Sequence, residues 1–235
     1  MIENSMIEKS MTDESGIWIG PQKIPVWPKG QKLKGKGDNV IAMTEFEDAP
    51  QFHPNLIRRV LEMDRDPNIR KTRSAFASGT KIHFVADWGC PEADLINARA
   101  LELYKRAFRQ EDAVVHIAWA NVSRRGDYTM PHSHPDSSAS VVYCVDEGDP
   151  NPRDPMDGLL AIVDPRYDSC CQSHEGFLTT PFLPKMKPGS MIIFPSKLVH
   201  CVNPYGGERP RITFSWDINT KAVGKPRLPE EIRVS

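Results

Sequence analysis

The chain has 235 residues with 30 basic and 31 acidic side chains, a formal charge of −1 at neutral pH. That balance gives no bulk electrostatic case for a nucleic-acid or anionic-membrane partner. No apolar run approaches the roughly 18 residues of a membrane-spanning helix, and the mixed-charge opening Met1–Ser10 lacks the apolar stretch of a secretory signal. A cytoplasmic protein with one domain is the expectation. The 21 prolines favour strand ends and turns over long helices. Five cysteines (Cys90, Cys144, Cys170, Cys171, Cys201), odd in number and without a Cys-x-x-Cys pair, read as reduced thiols and not as a disulfide framework or zinc site. The adjacent Cys170 and Cys171 read as incidental loop thiols in preference to a redox pair.

In chain order, residues 1–38 are polar, punctuated by Pro and Gly, and lysine-rich near Lys29–Lys36. They suggest an extended or partly disordered arm that lays Trp18 and Trp27 on the domain surface. Residues 39–112 read as a helical scaffold belonging to the same domain. Within it, Pro54–Met63 places Leu56, Val60 and Met63 on one helical stripe, flanked by Ile57 and Leu61. Pro91–Phe108 carries proline and acids in its first turn and bases in its last, as the helix dipole favours. Trp88, just before it, reads as a packing anchor.

From residue 113 to 235 the pattern changes to short β segments: Val114–Val122, Ser140–Val145, Gly158–Val163, Ser190–Phe194, Val199–Val202 and Arg211–Ile218. Many short strands between Gly/Pro/Asp turns indicate a mainly β sandwich or jelly roll. In the last strand Arg211, Thr213, Ser215 and Asp217 share one face, and Ile212, Phe214, Trp216 and Ile218 the other. The polar face suits a ligand-lined barrel, and the apolar face suits packing against the helices.

The chemistry concentrates where His132-Ser-His134-Pro-Asp136 runs into a β-branched segment. His134 and Asp136, with His200 further along, would offer a metal two imidazoles and a carboxylate on one face. That donor set suits non-haem Fe(II) and oxygen. His53, His83, His116 and His174 have no partner at ligand spacing; His116 reads as a strand histidine, the others as surface residues.

Over roughly residues 50–218 the chain resembles the Fe(II)/2-oxoglutarate-dependent oxygenases, and within them the small phage-type oxygenases. The residues that carry the likeness are Trp119-Ala-Asn121 with Gly126, His132-Ser-His134-Pro135, Ser140-Val-Val-Tyr143-Cys-Val145, Asp164-Pro165-Arg166, Pro188-Gly189, Phe194-Pro195-Ser196 and Arg211-Ile-Thr213. The resemblance implies a double-stranded β-helix (a cupin-like jelly roll) with the N-terminal helices packed outside. It implies Fe(II), 2-oxoglutarate as cosubstrate, O2, and hydroxylation of a C–H bond of a small molecule with release of succinate and CO2. By that likeness His134, Asp136 and His200 would hold the metal. Arg211 and Thr213 would hold the distal carboxylate of 2-oxoglutarate, for which a guanidinium offers a two-point match, with Tyr143 and Asn121 assisting. His132 and Arg166 would face substrate or support the ligands. Aligning on Gly126 instead places His132 as first ligand and His134 where the acid would stand. The register that keeps Asp136 is preferred because it retains a carboxylate, which argues for hydroxylation over halogenation. The loops Asp146–Asp157 and Tyr167–Pro184 are expected to cover the site, and Arg209 to form a surface ion pair. The alternatives are a cupin-like metal dioxygenase or isomerase that uses no 2-oxoglutarate, and a non-catalytic binding module.

Overall fold

The strand Arg211–Asn219 (β13) is buried along its whole length, which is possible because its two faces meet different neighbours. In the computed structural model, which describes residues 15–36, 41–69, 71–74, 77–83, 85–163 and 181–220, β13 lies between two antiparallel partners. These are Val114–Ser123 (β7) on one side and Ala139–Asp146 (β9) on the other. The remaining strands are Gly16–Ile19 (β1), Gln22–Pro25 (β2), Lys34–Lys36 (β3), Ile41–Glu45 (β4), Lys71–Ser74 (β5), Ala77–His83 (β6), Thr129–His132 (β8), Leu160–Val163 (β10), Ser190–Pro195 (β11) and Val199–Val202 (β12). One antiparallel path runs β10-β12-β8-β6-β7-β13-β9-β11-β4-β3, with β5 paired to β6. Its four-strand stretch β7-β13-β9-β11 faces the three-strand stretch β10-β12-β8. This is the double-stranded β-helix, with β6 joining the two layers through β7 and β8.

Helix α1 (His53–Arg65) and helix α2 (Pro91–Phe108) cover the outer face of the larger layer. Each starts with Pro in its first turn, where the missing N–H costs nothing. Helix α2 spans the residues expected from sequence and ends at Arg109 in the left-handed region (φ 53°). Leu56, Val60 and Met63 of α1 and Leu95, Ile96 and Leu103 of α2 are buried in one core with Ile212, Phe214, Trp216 and Ile218. Trp88 meets Phe214 edge-on at 5.6 Å, as a packing anchor should. Trp216 donates from Nε1 to Asn97 Oδ1 at 3.0 Å, so its one polar atom is satisfied inside the core.

The segment expected as a helical scaffold also supplies β4, which extends the larger layer beyond β11, and β6, which links the two layers. Within its described residues, 15–36, the N-terminal arm is more structured than its composition suggests. β1 and β2 form a hairpin, and Arg99 of α2, fully buried, fastens the chain that follows it. The guanidinium donates to Asp48 Oδ1 and Oδ2 (2.9 and 2.5 Å), to the carbonyl of Val26 (3.2 Å) and to that of Pro25 (3.0 Å). A buried cation is tolerated when paired and hydrogen-bonded at this density. Of the two aromatics expected on the surface, Trp27 packs edge-on against Phe46, whereas Trp18 is 63% exposed.

His53 departs from its expected surface position. It is buried on α1, and burial holds its pKa down at about 4. Its Nε2 lies 2.7 Å from the hydroxyl of Tyr143. His83 is likewise buried, at the end of β6. Arg209 forms the expected ion pair, with Asp146 at 2.9 Å. Among the described residues Cys90, Cys144 and Cys201 are free thiols; Cys170, Cys171, Arg166 and most of the 167–184 loop lie outside them.

Candidate active site

Between the two layers lies a cavity open to solvent. Its walls follow from strand parity. Arg211, Thr213, Ser215 and Asp217 of β13 line it, together with Trp119 and Asn121 of β7, Lys81 of β6, His132, His134 and His200.

The three histidines converge. One ligand atom of each lies within 4.8 Å of those of the other two. Two of them are brought together by the ladder itself, since His132 on β8 is the cross-strand partner of His200 on β12. His134, two residues on, projects to the same side, and its backbone N–H donates to the carbonyl of Ser196 at 2.8 Å. Each imidazole is oriented by an acceptor at Nδ1. His132 meets the carbonyl of Met130 (2.8 Å), His200 the carbonyl of Leu198 (2.9 Å), and His134 the carboxylate of Asp217 (2.5 Å). A carbonyl or carboxylate oxygen can only accept, so Nδ1 carries the hydrogen in all three rings and Nε2 keeps its lone pair. Burial lowers the pKa of His132, and burial followed by the neighbouring His132 lowers that of His200 to about 3. Imidazoles that keep a lone pair at Nε2 are what a divalent transition metal requires.

Asp217 anchors the third ring. Its Oδ2 holds His134, its Oδ1 accepts the hydroxyl of Ser140 at 3.0 Å, and that hydroxyl lies 3.2 Å from the hydroxyl of Ser196. A carboxylate behind a ligating imidazole fixes the ring and raises its basicity, and its loss commonly costs about 10- to 100-fold in metal affinity. Asp217→Asn is expected to weaken Fe(II) or Co(II) binding by that factor with an unchanged fold, measured by competition with a chelator.

Asp136, expected as a ligand, stands elsewhere. The chain turns at Pro135–Asp136 directly after His134, leaving Asp136 exposed and outside the histidine group. Its backbone carbonyl accepts from Asn219 Nδ2 at 3.1 Å, which pins the turn. His132, expected to support the ligands, takes a place inside the group. The inward set is therefore the one reached by aligning on Gly126.

Tyr143 is also displaced from its expected role. On β9 it points to the helix side, fully buried, with its hydroxyl at His53 and its ring edge-on to Phe46 at 6.5 Å. Parity along β9 gives the cavity side to Ser140 and Val142. Asn121 and Thr213 do line the cavity, as cross-strand partners. Asn121 accepts from Trp119 Nε1 (3.0 Å) and donates from Nδ2 towards Thr213 Oγ1 (3.3 Å) and Ser215 Oγ (3.1 Å), so it orients the polar row of β13.

Arg211 is buried at the near end of that row and forms no hydrogen bond or ion pair with the described residues. Its stem passes over Gly158, where an added Cβ would stand 3.4 Å from Arg211 Cδ. An unpaired buried guanidinium facing a cavity is costly unless an anion completes it. Lys81, which sequence reasoning passed over, reaches the cavity from β6 as the cross-strand neighbour of Asn121.

A double-stranded β-helix whose interior gathers three histidines offers a site that could hold a metal ion. Residues 117–217 match the family model described as "Putative 2OG-Fe(II) oxygenase". Solved structures agree in fold. A Pseudomonas putida prolyl-4-hydroxylase superposes with a TM-score of 0.54 at 18% identity, covering 77% of this chain and 93% of its own. AviO1 from Streptomyces viridochromogenes Tue57 gives 0.53 at 15%, covering 80% and 93%. The non-haem α-ketoglutarate-dependent carbocyclase SnoK from nogalamycin biosynthesis gives 0.58 at 9%, covering 77% and 79%. No curated protein matches the chain.

Proposed function

We propose that this protein is a non-haem Fe(II)- and 2-oxoglutarate-dependent oxygenase, acting in the cytoplasm, that hydroxylates a C–H bond of a small molecule. The observation that carries the reading is the convergence of His132, His134 and His200, each oriented at Nδ1, in a cavity also lined by a buried guanidinium that has no anion among the described residues. The histidines would hold the iron. Arg211 would pair with the distal carboxylate of 2-oxoglutarate, with Thr213, on the same strand face, donating its hydroxyl to it. Asn121 would keep that hydroxyl aimed inward. When bound, iron and 2-oxoglutarate supply the oxidant, with O2 consumed and succinate and CO2 released. The protein's share is to bind, to orient and to exclude water: Trp119 stacks near His134 (6.1 Å, 22°), and Leu160 and Val202 wall the cavity. A third imidazole in place of a vacant ligand position favours hydroxylation over halogenation.

The test is an anaerobic titration of the apoprotein with Fe(II) and then 2-oxoglutarate, following the weak visible charge-transfer absorption of the chelate. An absorption that needs both components is the expected result. Iron binding without it would favour a cupin-like metal enzyme that uses no 2-oxoglutarate, and no iron binding would favour a binding module.

A further inference from the structure

The charged side chains lining the cavity, among the described residues, are Arg211, Lys81 and Asp217. Asp217 is committed to His134 and Ser140. Lys81 forms no hydrogen bond or ion pair with any described residue. Its Nζ lies 5.2 Å over the ring of Trp119, an attraction that holds a cation in place without neutralising it. The two cations serve different parts of the cavity. Lys81 acts on His132 and His200, whereas the groups that act on Arg211 are Cys144, Tyr205, Asp157 and Glu147. On the reading above, one 2-oxoglutarate has one distal carboxylate, and Arg211 takes it. Its other end would lie against the metal. A second cation, half-buried beside the histidines, is then left without an ion-pair partner among the described residues, its one acidic neighbour in the cavity being Asp217, already engaged by His134 and Ser140. The same conclusion follows from the donor set. Three neutral imidazoles return no negative charge to Fe(II), so iron, Lys81 and Arg211 set against Asp217 and a dianionic cosubstrate leave one positive charge over.

We propose that Lys81 is a specificity-determining residue that binds an anionic group of the substrate, a carboxylate in the simplest case, and so holds the substrate next to the metal-binding histidines. The inference rests on the oxygenase reading for the assignment of Arg211. Trp119 would carry the apolar part of the same substrate, its ring 5.2 Å from Lys81 Nζ and 6.1 Å from the His134 ring.

The test uses the full chain loaded with Zn(II) and saturating 2-oxoglutarate, so that Arg211 is occupied. It is titrated calorimetrically with acetate, propionate and benzoate and with the three corresponding amides. Each acid is expected to bind about 10-fold more tightly than its amide, the scale of one charge-assisted hydrogen bond. Lys81→Met, which keeps the apolar stem, should abolish the preference. Lys81→Arg should restore it, and Lys81→Gln provides a second neutral variant if the methionine protein does not fold. 2-Oxoglutarate affinity should stay within about 2-fold of wild type in all three, since a group outside the cosubstrate's contacts adds little to its binding. Three results would overturn the proposal: equal binding of acids and amides by the wild type, an undiminished preference in Lys81→Met, or a 10-fold loss of 2-oxoglutarate affinity in that variant, which would make Lys81 a cosubstrate residue. Failure of the oxygenase reading is separate, because it shows in the iron titration as a missing charge-transfer absorption.

Discussion

Replacing Arg211 with methionine is expected to weaken 2-oxoglutarate binding by about 100-fold or more while leaving iron affinity within a few-fold. The guanidinium is buried on β13 with no partner among the described residues, so the free protein bears the desolvation and the bound carboxylate would repay it. Removing one member of a buried charged pair costs about 3–5 kcal/mol because the other is left uncompensated, and each 1.4 kcal/mol is about 10-fold. Methionine keeps the stem against Gly158 and removes the charge. The measurement is the concentration of 2-oxoglutarate that half-saturates the charge-transfer absorption. Arg211→Lys should recover only part of the affinity, since an ammonium cannot reproduce the planar two-point match. Unchanged affinity in Arg211→Met would remove the cosubstrate assignment and return a 2-oxoglutarate-independent metal enzyme to first place.

The second large effect separates two triads that share two members. His132→Ala, His134→Ala and His200→Ala are each expected to abolish stoichiometric Fe(II) binding and 2-oxoglutarate turnover, whereas Asp136→Ala should keep both within about 2-fold, as for an exposed side chain removed from the site. If Asp136→Ala loses iron and His132→Ala keeps it, the carboxylate-containing set is correct and the turn at Pro135–Asp136 must rearrange when metal binds. Succinate formation and iron content, measured on the same preparations, distinguish the two outcomes.

The parts of this site that could be read in advance were those fixed by strand parity and by order along the chain. Alternation over 211–218 put Arg211, Thr213, Ser215 and Asp217 on one face, and the apolar row opposite announced a helical cover. The dipole-matched ends of Pro91–Phe108 marked α2. What could not be read was where parity stops. His132, His134 and Asp136 alternate equally well on paper, and the choice among them depends on β8 ending at His132 and the chain turning at Pro135. Tyr143 was misplaced for a related reason: its parity on β9 is opposite to that of Ser140, and its partner His53 comes from a helix 90 residues earlier. Lys81 carries no motif at all. It matters because β6 pairs with β7 and sets Lys81 beside Asn121, a long-range pairing no local pattern encodes.

The two-faced burial of β13 ties specificity of folding to competence for catalysis. Any pairing of β13 displaced by one position against β7 and β9 would bring Arg211, Thr213, Ser215 and Asp217 into the helix-covered core and turn Ile212, Phe214, Trp216 and Ile218 towards the cavity. Such a species would bury two charges without partners and bare two large aromatics, so it lies far above the native pairing. Sequence drift on either face of this strand is therefore constrained by the other. On the oxygenase reading, substrate choice can vary most freely at the cavity-facing positions of β6, such as Lys81, and in the loops, which this two-faced constraint does not reach.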